Sequence, residues 1–269
     1  MKIYILGDSF TDNLFKYEIE AIEDNRHRHG QIYQYVKSLK NQNLPYPLHF
    51  EDYLRLWGHE VINLGTGGCS NDSIFHQFTQ IKEPFDRLIV NWTGLSRFDW
   101  YQKNGTIRTF TGGMAPDSKL TTTDELLIEQ GHNRLGNKIL RERTIDFISF
   151  LLSKYEKQKP IIWAPLENIC EVIENIKGYV WDIQNAIFKS IIPEFNKLEI
   201  FTETNQKIND RHYGRYGNFY VALMFNTILE YTKDIEHNGF YTNDLDLFSK
   251  IKENILTAQH NIIEINHSI

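Results

Sequence analysis

Five short runs rich in β-branched and aromatic residues, Lys2–Leu6, Glu60–Leu64, Arg87–Thr93, Pro160–Ala164 and Lys197–Phe201, constrain this chain more than any other feature. Each is too short for a helix and reads as a buried strand. Helical spacing recurs between and after them, at Leu48–Trp57, Asp72–Ile81, Ile139–Lys157, Trp181–Ile192, Gly217–Tyr231 and Leu245–Ile265. In the third of these, Ile145, Phe147, Ile148, Leu151, Leu152 and Tyr155 share one apolar side. Strands alternating with helices predict an α/β fold whose parallel sheet is covered on both faces.

Two intervals break the alternation. Residues 13–47 are polar, charged and Tyr-rich, and residues 97–135 carry Gly112-Gly113 and Thr121-Thr122-Thr123 with little periodicity. Both are expected as loop insertions above the sheet, and residues 232–269 as a helical extension of a single domain spanning 1–269. No internal repeat or low-complexity block interrupts it. With 41% hydrophobic residues the chain has ample material for a core.

The formal net charge of -6 argues against nucleic acid as the main partner, which calls for a basic face. Nor does any apolar run approach the ~20 residues of a membrane span. Residues 2–6 are too few for a signal-peptide core, so a cytoplasmic or otherwise non-secreted protein is expected. The two cysteines, Cys69 and Cys170, offer no disulfide framework.

The first strand stops at Gly7-Asp8-Ser9, at the carboxyl edge of the sheet where ligands of parallel α/β folds collect. A serine becomes a nucleophile when a base takes its proton, commonly a histidine oriented by a carboxylate. Such a pair stands in "NDRHYGRYGN" at 209–218, where Asp210 and His212 follow the last predicted strand. A third element, "VINLGTGGCSND" at 61–72, runs from strand through a glycine-rich turn into a helix, and its backbone N–H groups suit an oxyanion. It lacks both the Lys-Ser/Thr of a phosphate-binding P-loop and the spacing of a dinucleotide fingerprint.

These three elements resemble the first, second and fifth blocks of the SGNH/GDSL hydrolases, and together they frame residues 1–225. The resemblance implies a flavodoxin-like three-layer α/β/α sandwich with a five-stranded parallel sheet. It also implies a serine esterase or deacetylase that needs no metal or cofactor and acts on a small-molecule or carbohydrate ester. Ser9 would be the nucleophile, His212 the general base and Asp210 its orienting carboxylate. The N–H groups of Ser9 and Gly68 would serve the oxyanion. An O-acyltransferase, or a carbohydrate-binding protein of weak activity, is the alternative on the same scaffold.

The third block departs from the family pattern. Where members carry Gly-x-Asn-Asp with an oxyanion-donating Asn, this chain reads "LIVNWTGLSRFDW" at 88–100. Counting from Asp86 puts Leu95 at the Asn position, and aligning on Gly94 puts Ser96 there. Thr93, at the strand end, is the expected substitute donor, with the Ser96 hydroxyl as the alternative, and Asp8, Ser96 and Arg97 are expected at the substrate. Among lesser features, Cys69 reads as structural and His27 and His29 as members of a solvated loop rather than metal ligands. Trp92 reads as core, with Trp100 and Tyr101 as candidate stacking surfaces for a sugar.

Overall fold

The computed structural model describes residues 1–94, 97–101, 107–111, 139, 141–158, 160–163, 180–181, 212–232 and 245–259. Strands β1 (Lys2–Leu6), β2 (Glu60–Asn63) and β3 (Arg87–Asn91) form the middle and one edge of a parallel sheet. An antiparallel hairpin follows, β4 (Arg97–Tyr101) with β5 (Ile107–Thr111). The parallel sheet then continues through β6 (Ile161–Trp163) and β7 (Val180–Trp181), in the order β2-β1-β3-β6-β7. Ile3 stands opposite Val61 on one side and Arg87 on the other, which puts β1 at the heart of the sheet.

Successive strand residues point to opposite faces, so a strand buried on both faces must be apolar throughout. Ile3 and Ile5 of β1 join Ile89, Ile161 and Trp163 on one face. Tyr4 and Leu6 join Leu88, Val90 and Ile162 on the other. The first face is covered by α3 (Phe50–Leu56), α6 (Arg215–Tyr231) and α7 (Leu245–Gln259). Phe50, Trp163 and Phe225 lock these layers edge to face, with ring centroids 5.3–5.8 Å apart. The second face is covered by α4 (Asn71–Phe78) and α5 (residues 141–154) through Ile74, Phe78, Ile148 and Leu151. The result is an α/β fold with helices on both sides of a parallel sheet.

Four expected strands occupy their positions to within two residues at either end. The fifth, Lys197–Phe201, lies outside the described residues. Trp181, expected to begin a helix, instead lies in β7 and pairs with Trp163. Val180 and Trp181 both suit a pleated surface, and the free edge of β6 supplies the partner that helical spacing could not reveal.

The largest correction concerns residues 13–47. Rather than a loop insertion they contain two helices, α1 (Leu14–Glu23) and α2 (Gln31–Asn41), with a core of their own. Phe15 and Ile22 of α1 meet Tyr33, Tyr35, Val36 and Leu39 of α2. Tyrosines on the buried face hid the apolar stripe. The side chain of Asn13 starts α1 by accepting from the Lys16 N–H at 3.3 Å, and its amide donates to Glu51 and Asp52 of α3 at 2.9 and 3.1 Å. One residue therefore caps the hairpin and fastens it to the main body. Within the second expected insertion, 97–135, the described part is the β4–β5 hairpin. In the carboxyl-terminal extension α7 buries Leu247, Ile251 and Ile255.

Among the described residues no helix is long and apolar enough to cross a membrane.

Candidate active site

Beyond Leu6, the Thr66 N–H still donates to the Gly7 carbonyl at 3.0 Å, and the Gln77 side chain supplies the remaining partners. The buried Gln77 carboxamide accepts from the Gly7 N–H at 2.8 Å and donates to the Gly7 carbonyl at 2.9 Å. Gln77→Leu leaves the Gly7 N–H buried and unpaired, while the Gly7 carbonyl still accepts from the Thr66 N–H at 3.0 Å, and should lower unfolding free energy by about 1–3 kcal/mol in denaturant titration. A loss below about 0.5 kcal/mol would mean that water replaces the amide.

After Gly7 the chain turns tightly. The Asp8 carbonyl accepts from the Thr11 and Asp12 N–H groups at 3.0 and 2.9 Å and from the Thr11 hydroxyl at 2.9 Å. Ser9 stands half-exposed on this turn. Asp8 is fully buried beneath it, and its carboxylate accepts from Asn91 at 2.7 Å, the Phe10 N–H at 3.0 Å and Arg97 at 3.3 Å. Arg97 also donates to the Cys69 carbonyl at 3.3 Å. Asp8 and Arg97, both expected at the substrate, are paired with each other here. A fully buried carboxylate needs a counter-charge, Arg97 supplies it, and neither residue is among those lining the cavity described below. Ser96 lies outside the described residues.

The glycine turn after β2 is drawn against the Ser9 turn. Asn63 donates to the Thr11 carbonyl and accepts from the Gly65 N–H at 2.9 Å, while the Gly67 N–H donates to Asp12 at 2.8 Å. A Cβ on Gly67 would sit 3.8 Å from Ser9 Cβ, which measures how near the turn approaches. Gly68 has φ +77° and open space beside its α-carbon. Cys69 donates its thiol to the Gly7 carbonyl at 3.4 Å, and burial pushes its pKa up to about 12. Such a thiol stays protonated and inert.

At the end of β3, Asn71 holds the Thr93 backbone at both ends, accepting from its N–H at 3.0 Å and donating to its carbonyl at 3.2 Å. The Thr93 hydroxyl is buried, and Thr93 does not line the cavity. Its side chain packs under the strand end, and Trp92 beside it is fully buried core.

Ser9 and His212 line one cavity that opens to solvent, which Phe10, Asp12, Leu14, Phe15, Ile32, His49, Tyr213 and Asn218 complete. The His212 ring stacks on Phe10, centroids 4.8 Å apart at 29°. Tyr213 meets the same Phe10 edge to face at 5.8 Å. Asn218 closes the segment by donating to the Tyr213 and Gly214 carbonyls at 2.8 and 3.1 Å and accepting from the Phe50 N–H at 3.1 Å. Asp210 lies outside the described residues.

Two lining groups escaped the sequence reading. Burial raises the Asp12 carboxyl above its ordinary range and nearby Glu51 adds to the rise, while the Gly67 N–H and His212 pull it back. Burial holds His49 below the usual imidazole value against the pull of Glu51 and Asp52. Its Nε2 lies 3.2 Å from the Phe10 carbonyl. A carbonyl only accepts, which assigns the proton to Nε2 and makes His49 a prop for the backbone after Ser9. Asp12 was detectable as a carboxylate three residues beyond the candidate nucleophile; nothing local marked His49. Among the described residues no cluster of three or more His, Cys, Asp or Glu side chains is arranged to hold a metal ion.

No protein-family model and no curated protein matches the chain. Among solved structures it is similar to an acetyl xylan esterase, AlAXEase, at 14% identity and a TM-score of 0.37 over 87% of this chain and 100% of that one. It is also similar to a lipase/acylhydrolase from Enterococcus faecalis, at 12% identity and a TM-score of 0.40 over 85% of this chain and 95% of that one.

Proposed function

We propose that the protein is a serine ester hydrolase of the SGNH type. The observation that carries this reading is the convergence of Ser9, from the turn after β1, and His212, from the segment just before α6, on one cavity. The strand order supports it as well, since it is that of flavodoxin-like doubly wound sheets, whose ligands bind beyond the carboxyl ends of the strands.

In this reading His212 takes the proton of Ser9 Oγ as the oxygen attacks the ester carbonyl. The tetrahedral intermediate then collapses, the alcohol leaves with the proton from His212, and water repeats the sequence on the acyl-enzyme. Asp210 keeps the imidazole in the productive tautomer. The N–H groups of Ser9 and Gly68 receive the oxyanion, a role favoured by the bond from Gly67 to Asp12 that ties the glycine turn to the Ser9 turn. Arg97 acts through Asp8, balancing the buried charge under the nucleophile turn.

Hydrolysis of p-nitrophenyl esters by wild type tests the proposal, and no turnover above a heat-denatured control would reject it. The position of Thr93 adds a second expectation. Thr93→Val, which preserves the β-branched shape, should leave kcat within about twofold, whereas loss of an oxyanion donor costs about 10²–10³ in kcat. A loss of that size would restore Thr93 to the oxyanion site.

A further inference from the structure

We propose that Asp12 makes the site selective for esters that carry an ammonium group a few bonds from the reacting carbonyl. This rests on the ester-hydrolase reading above and adds a charge preference that nucleophile and base do not themselves require.

The carboxylate is half committed. Its Oδ2 accepts from the Gly67 N–H at 2.8 Å, and Oδ1 has no hydrogen-bond partner among the described residues. The acidic side chains nearby are differently placed. Glu51 and Asp52 both reach Arg55 at 3.1 Å, and the Asn13 amide donates to each. Asp8, beneath Ser9, has Arg97. Among the described residues, Asp12 alone of these carboxylates has no lysine or arginine as counter-charge.

The rest of the wall leaves a ligand few donors. Both amide hydrogens of Asn218 go to the Tyr213 and Gly214 carbonyls, and the His49 ring N–H goes to the Phe10 carbonyl. No lysine or arginine lines the cavity among the described residues. An anion entering here would face a like charge with no cation to hold it. A cation meets a free carboxylate oxygen and the rings of Phe10, Phe15 and Tyr213, whose faces attract positive charge. It would also offset the burial that disfavours the charged form of Asp12.

The carboxylate is close to the nucleophile. A Cβ on Gly67 would lie 3.2 Å from Asp12 Oδ2 and 3.8 Å from Ser9 Cβ, so these two side chains are separated by no more than those two spans together. An ammonium held at Oδ1 therefore belongs to a short arm of the ester, on its acyl or its alcohol side.

Two isosteric pairs test this at about pH 7, below the ~7.7 of an α-amino group, where a glycyl ester is charged. Glycine p-nitrophenyl ester against p-nitrophenyl propionate puts the cation on the acyl side. Acetylcholine against 3,3-dimethylbutyl acetate puts it on the alcohol side. The readout is kcat/KM of the charged ester over that of its neutral twin, compared between wild type and Asp12→Asn. The Asn can still accept from the Gly67 N–H, and any disturbance of the glycine turn acts on both esters of a pair and cancels in the ratio. The ratio should fall about tenfold or more in Asp12→Asn for at least one pair, and the pair that responds assigns the cation to acyl or alcohol. A ratio that Asp12→Asn leaves unchanged in both pairs overturns the inference, while turnover itself keeps the hydrolase reading intact.

Calorimetric titration of wild type with ethylammonium chloride and with choline chloride reads the carboxylate without turnover and without a variant. Saturable binding of at least one is the expected result, and binding of neither overturns the inference. Binding in a protein that turns over none of the four esters overturns only the hydrolase reading.

Discussion

Ser9→Ala is expected to abolish ester turnover, with a loss of about a thousandfold or more, while the thermal midpoint stays nearly unchanged. The chemistry sets the first half: with the nucleophile gone, oxyanion donors and binding alone remain to accelerate the reaction. Local structure sets the second. The bonds that hold the turn run to the Asp8 carbonyl and carboxylate and through Asn63 and Asp12, and none of them uses the Ser9 side chain. Steady-state kinetics with a p-nitrophenyl ester and a melting curve on the same preparation check both halves. Turnover near wild-type rate would remove Ser9 from the chemistry, and loss of folding would make it a structural residue.

Gly7→Ala is expected to act the other way, through structure. Gly7 has φ +154°, a conformation that side chains seldom adopt. An added Cβ would stand 2.6 Å from the Thr11 hydroxyl and 2.7 Å from Asn91 Cβ, inside any real carbon contact. Neither neighbour moves cheaply. Thr11 bonds to the Asp8 carbonyl, and Asn91 donates to the Asp8 carboxylate. The substitution should cost about 2–4 kcal/mol of unfolding free energy in denaturant titration. Turnover should fall with it, because displacing Asp8 shifts the backbone that carries Ser9. A variant with wild-type stability would show that the turn relaxes around a methyl group.

The two turns at the carboxyl ends of β1 and β2 were legible because they are local. A strand that stops at Gly-Asp-Ser, and another that runs through Gly67 and Gly68 into a capped helix, announce themselves within a dozen residues. The strand alternation was legible for a similar reason, since strands buried on both faces read as continuous apolar runs. Pairings between distant positions were not. Nothing in the spacing says that Arg97 reaches Asp8 rather than a substrate, that Asn71 takes both backbone groups of Thr93, or that Gln77 completes β1. The α1–α2 hairpin was missed for a different reason. Its buried faces use Tyr33 and Tyr35 beside aliphatic side chains, so a reading keyed to aliphatic spacing sees a polar segment. That omission matters most for function, because the hairpin contributes three residues to the cavity wall.

The central claim is that Ser9 is a nucleophile activated in place by His212, and covalent trapping tests it most directly. Wild-type protein treated with an alkyl fluorophosphonate should gain a single adduct, and peptide mass spectrometry should place it on Ser9. Labelling should be lost in Ser9→Ala and strongly slowed in His212→Ala. An unmodified Ser9 under conditions that label a known serine esterase, or an adduct on another residue that survives Ser9→Ala, would contradict the account.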